Sequence, residues 1–262
     1  MRRYLTLYWL FLQQQLKIVT EYRVNFFVGV ASTVFLQAAA LLTIWIVMGQ
    51  IPNLNGWSFD EILLIYGLLT TSKAINHMFA DNLWVIGRAY IRPGTFDRFL
   101  VRPINPLFHL LVDRFCHDGI GNLLIGGVLI ATAFTNLGIA WSVASVAYVL
   151  LAVLSGGVIF IALNLLTATS AFWIVESIPV TQSVFNFNDF ARYPLPIYQQ
   201  SIQILLTWLI PYGFASFYPA SYLVGRDVGV LAWLGPLVAL LLLVLAYRVW
   251  LFGLRHYTST GS

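Results

Sequence analysis

Charged side chains are spread so unevenly along this chain that the gaps between them outline its elements. No Asp, Glu, Lys or Arg occurs from Val24 through Phe59, a run of 36 residues. Lys73 is the only charge between Glu61 and Asp81, and Gly119 through Val175 is uncharged for 57 residues, with Asn136-Leu137-Gly138 near its middle. Tyr193–Gly225 and Val228–Tyr247 are also free of charge. Crossing ~30 Å of hydrocarbon at ~1.5 Å per residue takes roughly 20 helical residues. The longest gap therefore holds two spans joined by a tight turn. The pattern predicts six spans, at about 24–49, 59–80, 118–138, 143–175, 198–217 and 228–250. The fourth is longer than a bilayer requires, so it should tilt, kink or run past the lipid. Pro211 lies inside the fifth, and Pro194, Pro196 and Pro219 flank it. Whether that span is continuous, broken or re-entrant stays open; the last two need protein to cover the freed backbone groups.

Residues 1–23 read differently. Leu5, Tyr8, Trp9, Leu12, Leu16 and Val19 recur at helical spacing, with Arg2, Thr6, Gln13, Lys17 and Thr20 across much of the other side. This predicts an amphipathic helix lying in the membrane interface before the first crossing. Basic residues set the orientation. Arg2, Arg3, Lys17 and Arg23 precede span one; Arg88, Arg92, Arg98, Arg102 and Arg114 follow span two; Arg192 falls between spans four and five, and Arg248 and Arg255 close the chain. Only Arg226 is expected on the opposite side. Both termini are therefore expected in the cytoplasm.

Composition agrees. Of 262 residues, 60% are hydrophobic and 9% charged, whereas a soluble domain spends about a quarter on charge. An all-α integral membrane protein with a single transmembrane domain over 1–262 is expected. Disorder is excluded by the apolar content, and an intrachain disulfide by the presence of one cysteine, Cys116. The basic residues behind the net charge of +4 flank the spans, most of them on one side of the membrane, so no nucleic-acid partner is expected. Trp45, Trp57, Trp84, Trp141, Trp173, Trp233 and Trp250 fall at or near predicted span ends, where indole favours the interface. Gly29, Ala38 to Ala40, Gly126, Gly127, Gly156 and Gly157 permit close helix contact within spans.

The only sizeable polar region is the loop at 81–117. Arg92-Pro93-Gly94-Thr95 reads as a turn feeding a short helix, with Thr95 as its cap and Asp97 in its first turn. Phe96, Phe99 and Leu100 are expected on one face; Pro103 ends the helix and Pro106 opens the next. Such a helix, parallel to the membrane, can pass force from a soluble partner into the spans. The competing reading is a loop that anchors to headgroups through its arginines.

Three stretches carry a resemblance: IRPGTFDRFLVRPINPLF from Ile91 to Phe108, FWIVESIPV from Phe172 to Val180 with the Phe- and Asn-rich segment through Pro196, and IPYGFASFYPASYLVG from Ile210 to Gly225. Through them the whole chain resembles the permease subunit of bacterial ATP-binding-cassette exporters of the type-2 superfamily. It is most similar to a branch whose members pair with a related permease. The resemblance implies an inner-membrane transport subunit, not itself an enzyme, beside a second permease (a paralogue or an identical copy) and an ATPase that holds ATP and Mg. It also implies that Thr95, Phe96, Asp97, Arg98, Phe99, Leu100 and Arg102 form the coupling helix on the ATPase.

No phosphate-binding loop is present, because neither lysine, Lys17 or Lys73, follows a glycine. Lys73 is the one ionisable residue well inside a span, with His77 a turn later on the same face. Such a residue marks a pathway or helix interface unless it snorkels. Asn164 and Glu176 are further polar candidates at an interface. His109, Asp113 and His117 recur every four residues beside Cys116, but the first and third stand ~12 Å apart on a straight helix, so no metal site is assigned. No Ser–His–Asp or paired-carboxylate pattern is present, and no cofactor is expected in this chain. Two other classes compete: a proton-coupled secondary transporter using Lys73 and His77, and a structural or insertase-type membrane protein. The low charge of the spans suits a hydrophobic or amphipathic cargo.

Overall fold

The structure, a computed structural model, describes Thr6, Leu7, Trp9, Leu10, Gln13, Gln14, Lys17, Glu21, residues 23–51 and residues 53–258. The interfacial helix expected over 1–23 falls mostly outside these residues. Among the described residues the chain is helical, with no strand and one isolated bridge between Leu54 and Trp57. The elements used below are α1 (Arg23–Gln50), α2 (Phe59–Phe79), α3 (Asp97–Leu100), α4 (Pro106–Val112), α5 (Gly119–Asn136), α6 (Val143–Ala168), α7 (Ile178–Asn186), α8 (Gln200–Ile204), α9 (Phe217–Leu223) and α10 (Gly235–His256). Among the described residues, four helices are long and apolar enough to cross a membrane: Phe26–Gln50, Gly119–Asn136, Val143–Ile174 and Gly235–His256.

α2 is the axis of the bundle. Its start is set by a capping box: the Glu61 amide donates to Ser58 Oγ at 3.3 Å, and the Ser58 amide donates to Glu61 Oε2 at 2.7 Å. Two orphan donors are thereby satisfied, and Asp60 and Glu61 complement the helix dipole. Every residue from Ile62 to Ser72 is buried, because α5, α6 and the segment after α7 surround it. α1 lies outside this core, packed mainly on α5, with Phe27, Phe35, Leu36 and Trp45 exposed. The Phe59 end of α2 is locked by Arg226, whose Nε and Nη2 donate to Glu61 Oε1 at 2.9 and 2.8 Å. The same guanidinium sits 3.9 Å over the Trp57 ring and donates to the Gly56 carbonyl at 2.6 Å.

The route from residue 175 to 226 departs from expectation. α6 runs on through a turn into Ala171–Ile174 and ends at Val175, whose backbone has φ 57° and ψ −49°. The Glu176 amide donates to the Ile174 carbonyl at 2.6 Å, which closes a γ-turn of the strained positive-φ kind. The chain then climbs back along α2. The Phe185 ring meets Trp84 at 4.8 Å near the Phe79 end, and Arg192 stands 5.6 Å from the Tyr66 ring centroid. Pro196 arrives at the opposite end, where its carbonyl accepts from Asn55 Nδ2 at 3.2 Å. Arg192, expected in a loop at the Phe79 end, thus lies well along the axis.

Residues 198–217, expected as one span, are not one helix. α8 passes into a π-helical turn, Leu205–Leu209, and breaks at Ile210-Pro211, where proline has no amide to continue the ladder. Tyr212–Ala215 then form a 3₁₀ turn leading to α9. A Cβ at Gly156 would lie 2.8 Å from Ser72 Cβ and 2.9 Å from Ala215 Cβ, so the tip of this hairpin reaches the level of Ser72. That is about 20 Å from the Phe59 end at ~1.5 Å per residue. α9 climbs back toward Arg226. The stretch from α8 to α9 is a hairpin that turns at the level of Ser72, and the lengthwise path expected of it belongs to 176–197.

The turn at Val175 is pressed against Gly87: a Cβ at Gly87 would lie 1.7 Å from the Val175 carbonyl oxygen. Gly87→Ala should therefore lower the melting temperature in detergent by several degrees. Val175→Gly should raise stability by about 1 kcal/mol, because relief of positive-φ strain outweighs the added chain entropy. A Gly87→Ala protein as stable as wild type would show that these backbones do not touch.

Candidate functional site

Two regions collect the functional candidates: the loop from Gly87 to Asp113, and a cavity between α2 and the ascending segment. In the loop, a π-helical turn over Gly87–Ile91 leads into the Arg92-Pro93-Gly94 turn, where Gly94 has φ 72°. α3 is then a single turn of helix. Thr95 does not cap it. Phe96 holds the cap position in helical geometry, and the Thr95 hydroxyl reaches the Ala89 and Tyr90 carbonyls at 3.4 and 3.3 Å.

Phe96 and Phe99 are completely buried. Phe96 meets Tyr257, Phe172 and Trp250 with ring centroids 5.1, 5.5 and 6.3 Å away. Phe99 meets His109 and Tyr90 at 4.6 and 5.3 Å. Leu100 does not share their face. α3 ends at Leu100, which is 40% exposed, and the next residue, Val101, is 82% exposed. The charged neighbours are tied inward. Tyr257 donates its hydroxyl to Asp97 Oδ1 at 2.9 Å, and Arg98 Nη2 donates to Asp113 Oδ2 at 2.9 Å. Tyr90 also donates to Asp113, at 3.2 Å. Burial, reinforced by the Asp113 charge, pushes the Tyr90 hydroxyl up to about 12. Arg102 Nη1 donates to His109 Nε2 at 3.0 Å. Leu100 and Val101 are left facing outward, flanked by exposed Arg92, Arg98 and Arg102.

The cavity, of about 370 Å³, is lined by Lys73 and His77 of α2, by Asp81 and Trp84, and by Gln182, Asn186, Asn188 and Asp189 of the ascending segment. Lys73 has no hydrogen-bond or ion-pair partner among the described residues. The Asp189 carboxylate is held by Arg192 at 2.6 Å. Asn188 Oδ1 is buried without a hydrogen-bond partner among the described residues. Asn164 stands behind the wall, its Nδ2 donating to Asn76 Oδ1 and to the Ala80 carbonyl, both at 3.1 Å. Glu176 lies apart at the γ-turn, with Oε1 buried and without a partner among the described residues. The structure thus brings Lys73 and His77 to one cavity, holds Asn164 in an internal bond, and leaves Glu176 outside.

His109, Asp113 and His117 do not converge: Arg102, Arg98 and Asp118 respectively engage them. Another trio does. Ligand atoms of His77, Asp81 and Cys116 lie within 4.8 Å of one another. The four-residue spacing of His77 and Asp81 was visible in the sequence; the arrival of Cys116 beside them was not. Burial, followed by the Asp81 and Asp118 charges, pushes the Cys116 thiol up to about 11.

His109 links the loop to pH. Burial, then the Arg102 charge, lowers its pKa below the ordinary 6.5; Arg98 adds to this and Asp113 opposes it. As pH falls through 6.5 the unfolded chain takes up the proton before the folded one, so this site favours unfolding. The melting temperature should fall between pH 7 and 5, and His109→Gln should flatten that decline. An unchanged slope in the variant would remove His109 as its source.

Comparison with known proteins places the fold. The family model described as ABC-2 family transporter protein matches residues 34–261. No curated protein and no solved structure matches. The match covers most of the chain and all of the loop and cavity. The chain therefore belongs to the ABC-2 transporter family, a multi-pass membrane permease subunit whose partner is an ATP-binding-cassette ATPase.

Proposed function

We propose that this chain is half of an exporter in the bacterial inner membrane. It crosses six times, by α1, α2, α5, α6, the segment 176–197 and α10, with both termini on the ATPase side. A second permease, identical or related, completes the pathway.

One observation carries the reading. Gln182, Asn186 and Asp189 are exposed along one side of the ascending segment, and Lys73 opens onto the same cavity. Polar side chains exposed at membrane depth face water or protein rather than lipid. This face is the wall of the translocation pathway, and the second permease lies across it. Its mixed polar groups beside Trp84 and Phe185 suit an amphipathic cargo. The ATPase docks at the loop, where Leu100 and Val101 enter its surface and the arginines around them meet its acidic groups. The roles expected of Phe96 and Phe99 become internal: they transmit the loop's displacement to Phe172 and Trp250 without touching the partner. Thr95, Asp97 and Arg98 hold the loop's shape, and Arg102 contributes at its rim.

Val101→Asp should cut recovery of the ATPase subunit about tenfold or more in mild-detergent purification from native membranes. The melting temperature should stay unchanged, because the side chain packs against nothing in this chain. Full recovery would remove the docking assignment, and absence of any ATPase from the wild-type preparation would remove the exporter reading in favour of a carrier using Lys73 and His77. For the pathway, Gln182→Cys in a Cys116→Ser background should react with a membrane-impermeant maleimide. Leu240→Cys, on the apolar face of α10, should not. Equal protection of both would place Gln182 outside any aqueous route.

A further inference from the structure

We infer that His77, Asp81 and Cys116 form a binding site for a divalent transition-metal ion of the Zn²⁺ type, at the mouth of the polar cavity. The inference is independent of the transport reading. It begins with the donor set: an imidazole, a carboxylate and a thiol are the three side chains that together select a borderline-soft dication over Mg²⁺ or Ca²⁺.

The donors already converge. His77 Nε2 lies 3.9 Å from Asp81 Oδ1, and all three ligand atoms fall within 4.8 Å of one another. In a tetrahedral site with metal–ligand bonds of about 2.0–2.3 Å, neighbouring donors stand about 3.3–3.8 Å apart, so shifts of roughly 1 Å or less close the trio around an ion. The three arrive by different routes. His77 ends α2, Asp81 begins the next turn of helix, and Cys116 comes from the loop before α5. Cys116 is placed by its backbone, whose amide donates to the Met78 carbonyl at 3.2 Å.

The imidazole is oriented from behind. Nδ1 is engaged by the Asn122 side-chain amide at 3.2 Å; Asn122 in turn bonds Gln37 at 2.6 Å, and Gln37 bonds the Tyr66 hydroxyl. This leaves Nε2 on the side of Asp81 and the cavity. A terminal amide offers a donor at one end and an acceptor at the other, and a hydroxyl does both. The chain Tyr66–Gln37–Asn122–His77 therefore stays satisfied when each amide turns over. In the turned arrangement Nδ1–H donates to Asn122, and the Nε2 lone pair is free for the ion. Ligating histidines are ordinarily held by such a bond on the other nitrogen.

Charge also balances. Binding transfers the Cys116 thiol proton to solvent, and the resulting thiolate with the Asp81 carboxylate neutralises a dication. Neutrality matters where one donor, Cys116, is only 5% exposed. His77 and Asp81 line the cavity, so the fourth coordination position opens into it and holds water. The ion joins the end of α2 to the start of α5 beside Lys73.

The test uses the full chain in nanodiscs. One equivalent of Co²⁺, as a spectroscopic stand-in for Zn²⁺, should give a near-ultraviolet thiolate-to-metal band that Zn²⁺ displaces. Cys116→Ser should abolish the band, and His77→Ala and Asp81→Ala should each weaken Zn²⁺ binding at least tenfold. Asn122→Leu, which leaves the donors intact, should weaken it about 10–100-fold. In the wild-type protein, Zn²⁺ should slow alkylation of Cys116, a readout that needs no variant to fold. Absence of the band, Zn²⁺ retained equally by wild type and Cys116→Ser, or unchanged alkylation would each overturn the site.

Discussion

A helix that carries Lys73, Asn76 and His77 along one end cannot face hydrocarbon, and the arrangement of this protein follows from that constraint. α2 is absent from the helices apolar enough to cross a membrane by composition, yet among the described residues it is the most enclosed of the long helices. α5 and α6 cover two of its sides, and the irregular segment from Glu176 to Pro196 and the hairpin from α8 to α9 cover much of the rest. The covering is reciprocal. Irregular backbone needs protein around it wherever water is excluded, and α2 with α6 supplies that protein. The Glu61–Arg226 pair stacked on Trp57 closes the assembly at one end.

At the other end the loop is bound to three parts of the fold. Phe96 packs on Phe172 of the α6 extension and on Trp250 of α10. Gly87 touches the strained turn at Val175. The loop, α10 and the α6 extension therefore share one cluster of aromatic side chains, with the Val175 turn against the loop's backbone. A displacement of α3 cannot be absorbed locally, because close-packed interiors transmit strain rather than dissipate it.

Much of this was legible in the chain. The uncharged runs located α1, α5 and α6 with its extension closely, since a long apolar helix in lipid needs nothing from its neighbours to declare itself; α10, expected over 228–250, lies at Gly235–His256, after a 3₁₀ turn over Gly229–Trp233. The turn at Arg92–Gly94 and the start at Pro106 followed from local chemistry. What failed was any inference that needed tertiary contact. Residues 198–217 were apolar enough to span, and 178–197 too polar, because Gln182, Asn186 and Asp189 are accommodated by a cavity that one sequence cannot display. Arg192 counted as a loop charge because its partners, Asp189 and the Tyr66 ring, are seen only after folding. Leu100 was grouped with Phe96 and Phe99 on a helix expected to run longer than the one turn that forms.

The hydrogen bond from Tyr257 to Asp97 joins residues 160 positions apart. A ribosome adding about 5–20 residues per second delivers Tyr257 roughly ten to thirty seconds after Asp97. Throughout that interval the loop lacks both the Tyr257 ring against Phe96 and the hydroxyl on Asp97. The loop is therefore made early and completed late. On the docking role proposed above, a chain cut before Tyr257 offers an incomplete surface, so assembly waits for that residue.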